Sequence, residues 1–153
     1  LVGGWGFTLG DEGSGARLGA KLVQALMHAI DTKVVGKGVL TELVGYVGST
    51  RAELSQWLAQ AQVKDYAQLS KLVWKYQNEC DIASHILRHH SQAVERLINV
   101  TRAEYDLPVV LLGGLAHNTA PLLTPKCQQF IQPAKGSALD GAFVLAKSKN
   151  KWN

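Results

Sequence analysis

A glycine-rich segment over residues 3–15 combines residue types that could bind a polyhydroxylated ligand. Glycine allows positive φ angles and close approach of the backbone to another group. Trp5 offers a flat apolar surface, and the carboxylate of Asp11 can accept hydrogen bonds from hydroxyl groups. A helical pattern follows, and the N–H groups at a helix start are free to bind polar ligands. These features favour a sugar ligand, while the alternative is a tight turn whose acids cap the next helix.

Helical patterns occupy most of the first two thirds of the chain and would position this segment. Apolar residues recur every four positions over residues 18–30, and a second helix is predicted over residues 39–47. Thr50–Glu53 is a capping box that begins a third helix. Asp65 is a candidate N-cap for a helix that runs to about residue 78, and Asp81 precedes a long helix.

Three short segments have the patterns of β-strands. Residues 5–9 alternate between large apolar and small or polar residues, which predicts a short strand. Residues 109–112 form a continuous apolar run, which is typical of a strand buried on both faces. Residues 128–132 are a further strand candidate.

Two sites near the C-terminus could contact a ligand. Gly113 and Gly114 follow the predicted buried strand, and ligands of open α/β sheets gather at such strand ends. An ordinary strand-to-helix turn is the alternative. Ser137 begins a final helix and could offer N–H donors, although simple N-capping also explains it. The inward face of that helix is expected to carry Leu139, Phe143 and Ala146.

Composition and charge indicate an ordinary globular protein. The net charge is +4 and 46% of the residues are hydrophobic, and no apolar run is long enough to span a membrane. The lysines of residues 147–151 are interpreted as a solvated tail, so no nucleic-acid or membrane partner is expected. Cys80 and Cys127 are predicted to be free thiols of a cytoplasmic protein. His85 and His89 have i, i+4 spacing without an evident third ligand, so a solvated helix face and no metal site are predicted.

Three segments in order resemble the BadF/BadG/BcrA/BcrD ATPase and N-acetylglucosamine kinase family. They are Gly4–Gly6 with Leu9–Gly15, then Val110–Ala116, and finally Gly136–Ala142. The likeness is greatest to bacterial glucosamine and N-acetylglucosamine kinases. It implies an α/β fold, the C-terminal lobe of the actin-like/hexokinase (ribonuclease H-like) ATPase fold with a large helical insertion.

The resemblance also implies a domain organisation. Residues 1–153 would be a single C-terminal lobe, with residues 38–104 as the helical insertion. The phosphate-binding N-terminal lobe, which would supply the catalytic aspartate, is not found in this sequence, so the fragment alone is expected to be inactive. A homodimer is also expected, and the insertion, with Trp57, Trp74 and Tyr76, is the natural place for its contact.

The family's activity would be transfer of a phosphoryl group from ATP, with Mg²⁺, to the 6-hydroxyl of glucosamine or N-acetylglucosamine. The partners would be the amino sugar, ATP and the N-terminal lobe. The resemblance assigns no catalytic residue here. The expected substrate-binding residues are Gly4, Trp5, Asp11 and Gly15, and the expected nucleotide-binding residues are Gly113, Gly114, Leu115 and Ser137.

Two alternatives to the kinase stay open at the level of sequence. The same family includes ATPases that activate a dehydratase by electron transfer and carry an iron–sulfur cluster held by cysteines. A non-catalytic module for sugar binding or oligomerisation is the other alternative.

Overall fold

The computed structural model describes residues 2–34 and 37–148, and these residues are mainly helical. The chain divides into two compact units, Leu1–Leu97 and Ile98–Asn153. The lysines at positions 149 and 151 lie outside the described residues. The helices are α1 (Gly15–Thr32), α2 (Val39–Val47), α3 (Arg51–Gln60), α4 (Val63–Lys75), α5 (Asp81–Glu104), α6 (Ala116–Thr119), α7 (Pro125–Gln128) and α8 (Ala138–Ser148), with a 3₁₀ turn at Ala120–Leu122.

The core of the first unit forms mainly where α1 packs against α4. The predicted apolar stripe of α1 is buried there, including Leu18, Leu22 and Leu26. Leu69 and Val73 of α4 are buried as well. Burying side chains of this size stabilises the fold by about 1.5–3 kcal/mol each. The helical periodicity therefore predicted both the helix and its buried face correctly.

Capping groups fix the starts of two neighbouring helices. The Thr50 hydroxyl accepts a hydrogen bond from the Glu53 N–H, and the Glu53 carboxylate accepts one from the Thr50 N–H, which confirms the predicted capping box. For α4 the prediction was displaced by one turn. Asp65 lies in the first turn of α4 and its carboxylate accepts a hydrogen bond from the Gln62 N–H (2.8 Å), so Gln62 is the N-cap. An acidic residue is common both at the N-cap and at the third helical position, where its carboxylate accepts from the N–H of the N-cap residue, so the residue type alone does not distinguish the two positions.

The Glu53 capping box makes stability depend on pH. Backbone hydrogen bonds from Ser49 and Thr50 are the main cause that lowers the pKa of Glu53 below its usual 4.5. A lowered pKa in the folded state adds stability above the unfolded pKa, and this stability is lost as the pH falls through the folded pKa. We expect wild type to be more stable than Glu53→Gln at pH 7 and the difference to shrink by pH 3. Urea unfolding at both pH values measures this, and an unchanged difference would contradict it.

The predicted strands are wrong for the described residues, which contain a single isolated β-bridge. Val109 pairs with Ile131 in a parallel arrangement. The Val109 N–H donates to the Phe130 carbonyl (2.8 Å), and the Gln132 N–H donates to the Val109 carbonyl (2.8 Å). Residues 5–9 lead into a turn instead. A strand needs a neighbour for its hydrogen bonds. The local pattern identifies segments suited to a sheet but cannot supply that neighbour. The α/β expectation is therefore seen here only in its helical part.

Helix α8 forms as predicted, but its predicted orientation is wrong. No residue of α8 is buried, and Leu139, Phe143 and Ala146 are all exposed. Leu139 is 79% exposed and Phe143 60% exposed. Periodicity identifies the apolar face of a helix and not the surface that covers it.

None of the helices within the described ranges has the length and apolar character that a bilayer crossing requires. Both cysteines are free thiols, as predicted, with Cys127 buried and Cys80 half-buried.

Candidate functional site

The glycine-rich segment forms an open loop before α1. Gly4 and Gly6 have φ angles of 71° and 87°, where a side chain would be strained. The Gly10 N–H donates to the Gly6 carbonyl at 2.8 Å, which closes a tight turn. Nothing lies within 4 Å of the position that a Cβ atom would take on Gly4 or Gly6. These two glycines therefore leave open space beside the backbone.

Trp5 projects from this loop into solvent. Its side chain is 83% exposed, and Leu9 is 84% exposed. Gly10 packs against the base of Trp5, because a Cβ atom on Gly10 would lie 3.1 Å from Trp5 Cβ. The indole ring is therefore free over most of its surface, as a stacking surface for a ligand would be.

Asp11 adopts the left-handed conformation, with φ of 59°. Asparagine and aspartate tolerate this conformation better than other non-glycine residues. Its backbone carbonyl accepts a hydrogen bond from the Ser14 N–H (3.0 Å), and its side chain has no hydrogen-bond or ion-pair partner among the described residues. The capping of α1 falls to Ser14 instead, whose hydroxyl accepts from the Arg17 N–H at 3.2 Å. The carboxylate of Asp11 is thus available for a ligand.

Gly15, the fourth predicted substrate-binding residue, lies at a helix–helix contact. A Cβ atom on it would lie 3.2 Å from Ser70 Oγ of α4. One turn later, a Cβ atom on Gly19 would overlap the carbonyl oxygen of Tyr66. Small residues at i and i+4 let two helix backbones approach closely. Glycine at 15 therefore serves at least the packing of α1 on α4.

The loop packs through Phe7 on an aromatic cluster, formed with Tyr66 and Trp57, that the sequence did not predict. The Phe7 and Tyr66 rings have centroids 5.0 Å apart, and the Tyr66 and Trp57 rings have centroids 5.1 Å apart in an edge-on arrangement. Such ring pairs contribute about 0.5–1.5 kcal/mol beyond their buried area. The Arg17 guanidinium also reaches the Phe7 carbonyl at 3.5 Å. The cluster spans the loop, α3 and α4, so its members are distant in sequence and share no motif.

The second group of predicted residues lies in the unit formed by residues 98–153. Gly113 has a φ of 100°, and neither Gly113 nor Gly114 has a neighbour within 4 Å of its Cβ position. Leu115 is half-buried at the start of α6, where its carbonyl accepts from the Thr119 N–H. The glycine pair therefore exposes bare backbone after the Val109 bridge.

Ser137 caps α8 through a reciprocal pair with Asp140. The Ser137 N–H and hydroxyl both donate to Asp140 Oδ2 at 2.7 Å, and the Asp140 N–H donates to the Ser137 hydroxyl at 3.2 Å. These hydrogen bonds, the side-chain one first, lower the pKa of Asp140. Because the Ser137 N–H is already bonded, nucleotide binding by Ser137 stays a prediction that would require this pair to open.

The three aromatic residues for which the sequence predicts a dimer contact are half-buried within the first unit. Trp57 packs on Tyr66, and Trp74 packs edge-on against the buried His90, with ring centroids 6.0 Å apart. The Tyr76 hydroxyl donates to Glu42 Oε2 at 2.8 Å. This hydrogen bond raises the pKa of Tyr76, while the pKa of Glu42 is lowered chiefly by the hydrogen bond from Lys75 and then by the one from Tyr76. These contacts account for all three aromatic residues inside one protomer.

A groove of about 710 Å³ lies along α1 and α5 and does not include Trp5 or Asp11. Of the glycine-rich loop it contains only Glu12 and Gly13. The candidate sugar site is therefore an exposed loop and not the groove. Within residues 2–34 and 37–148, no group of three or more His, Cys, Asp or Glu side chains could hold a metal ion.

Comparisons with known proteins relate the chain to sugar kinases. It is 24% identical over 147 residues to the glucosamine kinase GspK of Vibrio cholerae, which covers 95% of this chain and 50% of GspK. A crystal structure from Chromobacterium violaceum, provisionally named as an N-acetylglucosamine kinase, superposes with a TM-score of 0.85 at 28% identity. That match covers 94% of this chain and 50% of the solved one. No protein-family model matches the chain.

Both matches confirm the resemblance that the three sequence segments indicated. They also support the fold of a sugar kinase, since the structural match extends over nearly the whole chain. The chain spans about half the length of each of these two relatives.

Proposed function

We propose that this chain, which resembles amino-sugar kinases of the BadF/BadG type, is part of an enzyme that phosphorylates an amino sugar with ATP. The phosphoryl acceptor would be the 6-hydroxyl of glucosamine or N-acetylglucosamine. The two relatives, which are named for glucosamine and N-acetylglucosamine, support this class of substrate. Neither relative is named as a dehydratase activator, so the names favour the kinase over that alternative.

The observation that carries the proposal is the pairing of Trp5 and Asp11 on one loop. The Trp5 indole is exposed, and the carboxylate of Asp11, six residues later in the same loop, has no partner among the described side chains. A sugar presents apolar C–H faces and hydroxyl donors, which suit an aromatic surface and a carboxylate acceptor. Gly4, with open space beside it, leaves room for the ring, and Gly15 lets the start of α1 lie close to Ser70 of α4.

The adenosine of ATP would bind at Gly113, Gly114 and Leu115 in the second unit. Bare glycine backbone lets a flat base or ribose lie close to the chain. The described residues contain no cluster of three metal ligands, so we assign Mg²⁺ to the phosphates of ATP and to the rest of the enzyme. Mg²⁺ would neutralise charge on the transferred group. What this chain contributes is positioning, which lowers the barrier by holding the acceptor in place.

The rest of the enzyme would be the half of the relatives' length that this chain does not match. Two features of residues 98–148 support such a partner. The apolar segment 109–112 has one strand-like pairing, and α8 exposes Leu139 and Phe143. Both are suited to pack against a sheet, so we propose that the missing lobe, with the catalytic aspartate, covers them. A homodimer through the insertion 38–104 stays part of the proposal as well.

Sugar binding to the chain tests the proposed site directly. Because Trp5 is exposed, we expect Trp5→Ala to keep the fold and to weaken binding of glucosamine and N-acetylglucosamine by about tenfold or more. Calorimetric titration measures the affinity. Val34→Ala, which also truncates an exposed apolar side chain of the same unit, is the control and should bind as wild type. Equal affinity of wild type and Trp5→Ala would contradict the site.

A further inference from the structure

Two histidine rings on the exposed side of α5 meet at their Nε2 atoms. His85 Nε2 and His89 Nε2 are 3.0 Å apart, and the ring centroids are 4.4 Å apart at an interplanar angle of 72°. Both side chains are exposed and both line the groove along α1 and α5. We propose that His85 and His89 bind a divalent transition-metal ion of the kind that prefers imidazole, such as Zn²⁺.

The distance between the two nitrogens fits a shared metal ion. Zn–N bonds are about 2.0–2.1 Å long, so two nitrogens on one ion at angles of 90–110° lie roughly 2.9–3.4 Å apart. The observed 3.0 Å falls in that range. The i, i+4 spacing on a helix of 24 residues holds both rings on one face without further backbone change.

A metal ion can replace the hydrogen bond between the two rings without any change in the number of protons they carry. At 3.0 Å one neutral ring donates its Nε2–H to the lone pair of the other. Metal binding needs a lone pair on both Nε2 atoms, so the donor ring moves its proton to Nδ1 and both rings then carry Nδ1–H. This change of tautomer leaves the number of protons on the two rings unchanged.

The third histidine of this stretch is not part of the site. His90 is buried, and its ring packs edge-on against Trp74. Burial lowers the pKa of His90. Adjacent positions on a helix point about 100° apart, and although His90 also lines the groove, its buried ring packs on Trp74 and not beside the exposed pair.

Charges around the groove decide which ions can bind. Glu12 and Asp81 line it and favour a cation, while Arg17, Lys21 and Arg96 line it and oppose one. Net attraction from charge alone is therefore absent, and the imidazole ligands must supply the affinity. Mg²⁺ prefers oxygen ligands and should not bind here, whereas Zn²⁺, Ni²⁺ and Cu²⁺ accept imidazole. With two protein ligands and water in the other positions, the affinity would be modest.

Calorimetric titration of the untagged chain with ZnCl₂ at pH 7.5 tests the proposal. We expect one Zn²⁺ per chain, and no comparable binding of MgCl₂. His85→Ala and His89→Ala should each weaken Zn²⁺ binding by at least about tenfold, since loss of even an outer-shell partner costs 10–100-fold. The control is His28→Ala, which removes an exposed histidine from α1 and should bind Zn²⁺ as wild type does.

Three results would overturn the proposal. Wild type could bind Zn²⁺ no better than Mg²⁺, which would leave the histidine pair as a hydrogen bond only. The His85 and His89 variants could bind Zn²⁺ like wild type, or His28→Ala could lose as much affinity as they do. Circular dichroism of each variant checks that α5 is intact. None of these readouts depends on kinase activity.

Discussion

Replacing Asp11 with asparagine is expected to lower kcat/KM for the amino sugar by about tenfold to a hundredfold in the enzyme that contains this chain. Asparagine tolerates the left-handed conformation that Asp11 adopts, with φ of 59°, so the loop should keep its shape. What changes is the charge of the acceptor. Hydrogen bonds to a charged group are worth about 1.5–3 kcal/mol, which corresponds to this loss of rate. Steady-state ADP release at varied sugar concentration measures it.

The control for Asp11→Asn is Glu79→Gln, which removes one exposed carboxylate elsewhere in the same unit. We expect its kcat/KM to stay within about twofold of wild type. A second readout separates ligand binding from folding, because Asp11→Asn should unfold at the same urea concentration as wild type. Unchanged kcat/KM for Asp11→Asn would contradict the assignment of Asp11 to the sugar site.

A second large effect is expected at Gly19, where α1 and α4 meet most closely. A Cβ atom there would overlap the carbonyl oxygen of Tyr66, and backbone cannot move aside as a flexible side chain can. We expect Gly19→Ala to lower the free energy of unfolding by about 3 kcal/mol, at the upper end of the usual cost of overpacking. Because Tyr66 packs on Phe7, a shift of α4 should also disturb the candidate sugar loop. Urea unfolding and sugar titration measure the two effects.

Gly45 on α2 provides the matched control for Gly19. It is exposed, has no neighbour within 4 Å of its Cβ position and lies inside a helix. Gly45→Ala should therefore raise the free energy of unfolding by about 0.5–1 kcal/mol through helix propensity alone. Equal changes in the free energy of unfolding for Gly19→Ala and Gly45→Ala would contradict the claim that the close contact of α1 with α4 requires glycine at position 19.

Local rules in the sequence predicted the helical part of the fold well. The Leu18, Leu22 and Leu26 stripe and the Thr50–Glu53 capping box depend on residues three or four positions apart, and both are confirmed. The start of α4 was misplaced because aspartate is favoured both at the N-cap and in the first turn, where Asp65 accepts from the Gln62 N–H.

Features that depend on distant partners were not predictable. The segments 109–112 and 128–132 both have strand patterns, yet they meet only in the bridge between Val109 and Ile131, and local sequence does not reveal how far such pairing extends. The apolar face of α8 was identified, but not that Phe143 would stay exposed. The contact of Tyr66 with Phe7 joins residues 59 positions apart, so no motif indicated it.

A hypothesis about the site chemistry could be made where one segment carries all the groups. Gly4, Trp5 and Asp11 lie on one loop, so their types and spacing suggested a sugar ligand before any geometry was known. For Ser137 the sequence allowed either a helix-capping role or a nucleotide-binding role. The structure shows that the Ser137 N–H donates to the Asp140 carboxylate as part of the cap. The 3.0 Å approach of His85 and His89 needed coordinates, because helical spacing alone does not fix ring orientation.

Sugar-dependent ADP release tests the central claim most directly. The longest natural polypeptide that carries this sequence would be assayed with ATP and Mg²⁺ against glucosamine, N-acetylglucosamine, glucose and no sugar, with the 153-residue chain beside it. We predict ADP release that requires an amino sugar in the longer polypeptide, and none from the 153-residue chain alone. ATP hydrolysis that is indifferent to sugar, or no turnover with any sugar, would contradict the assignment to an amino-sugar kinase.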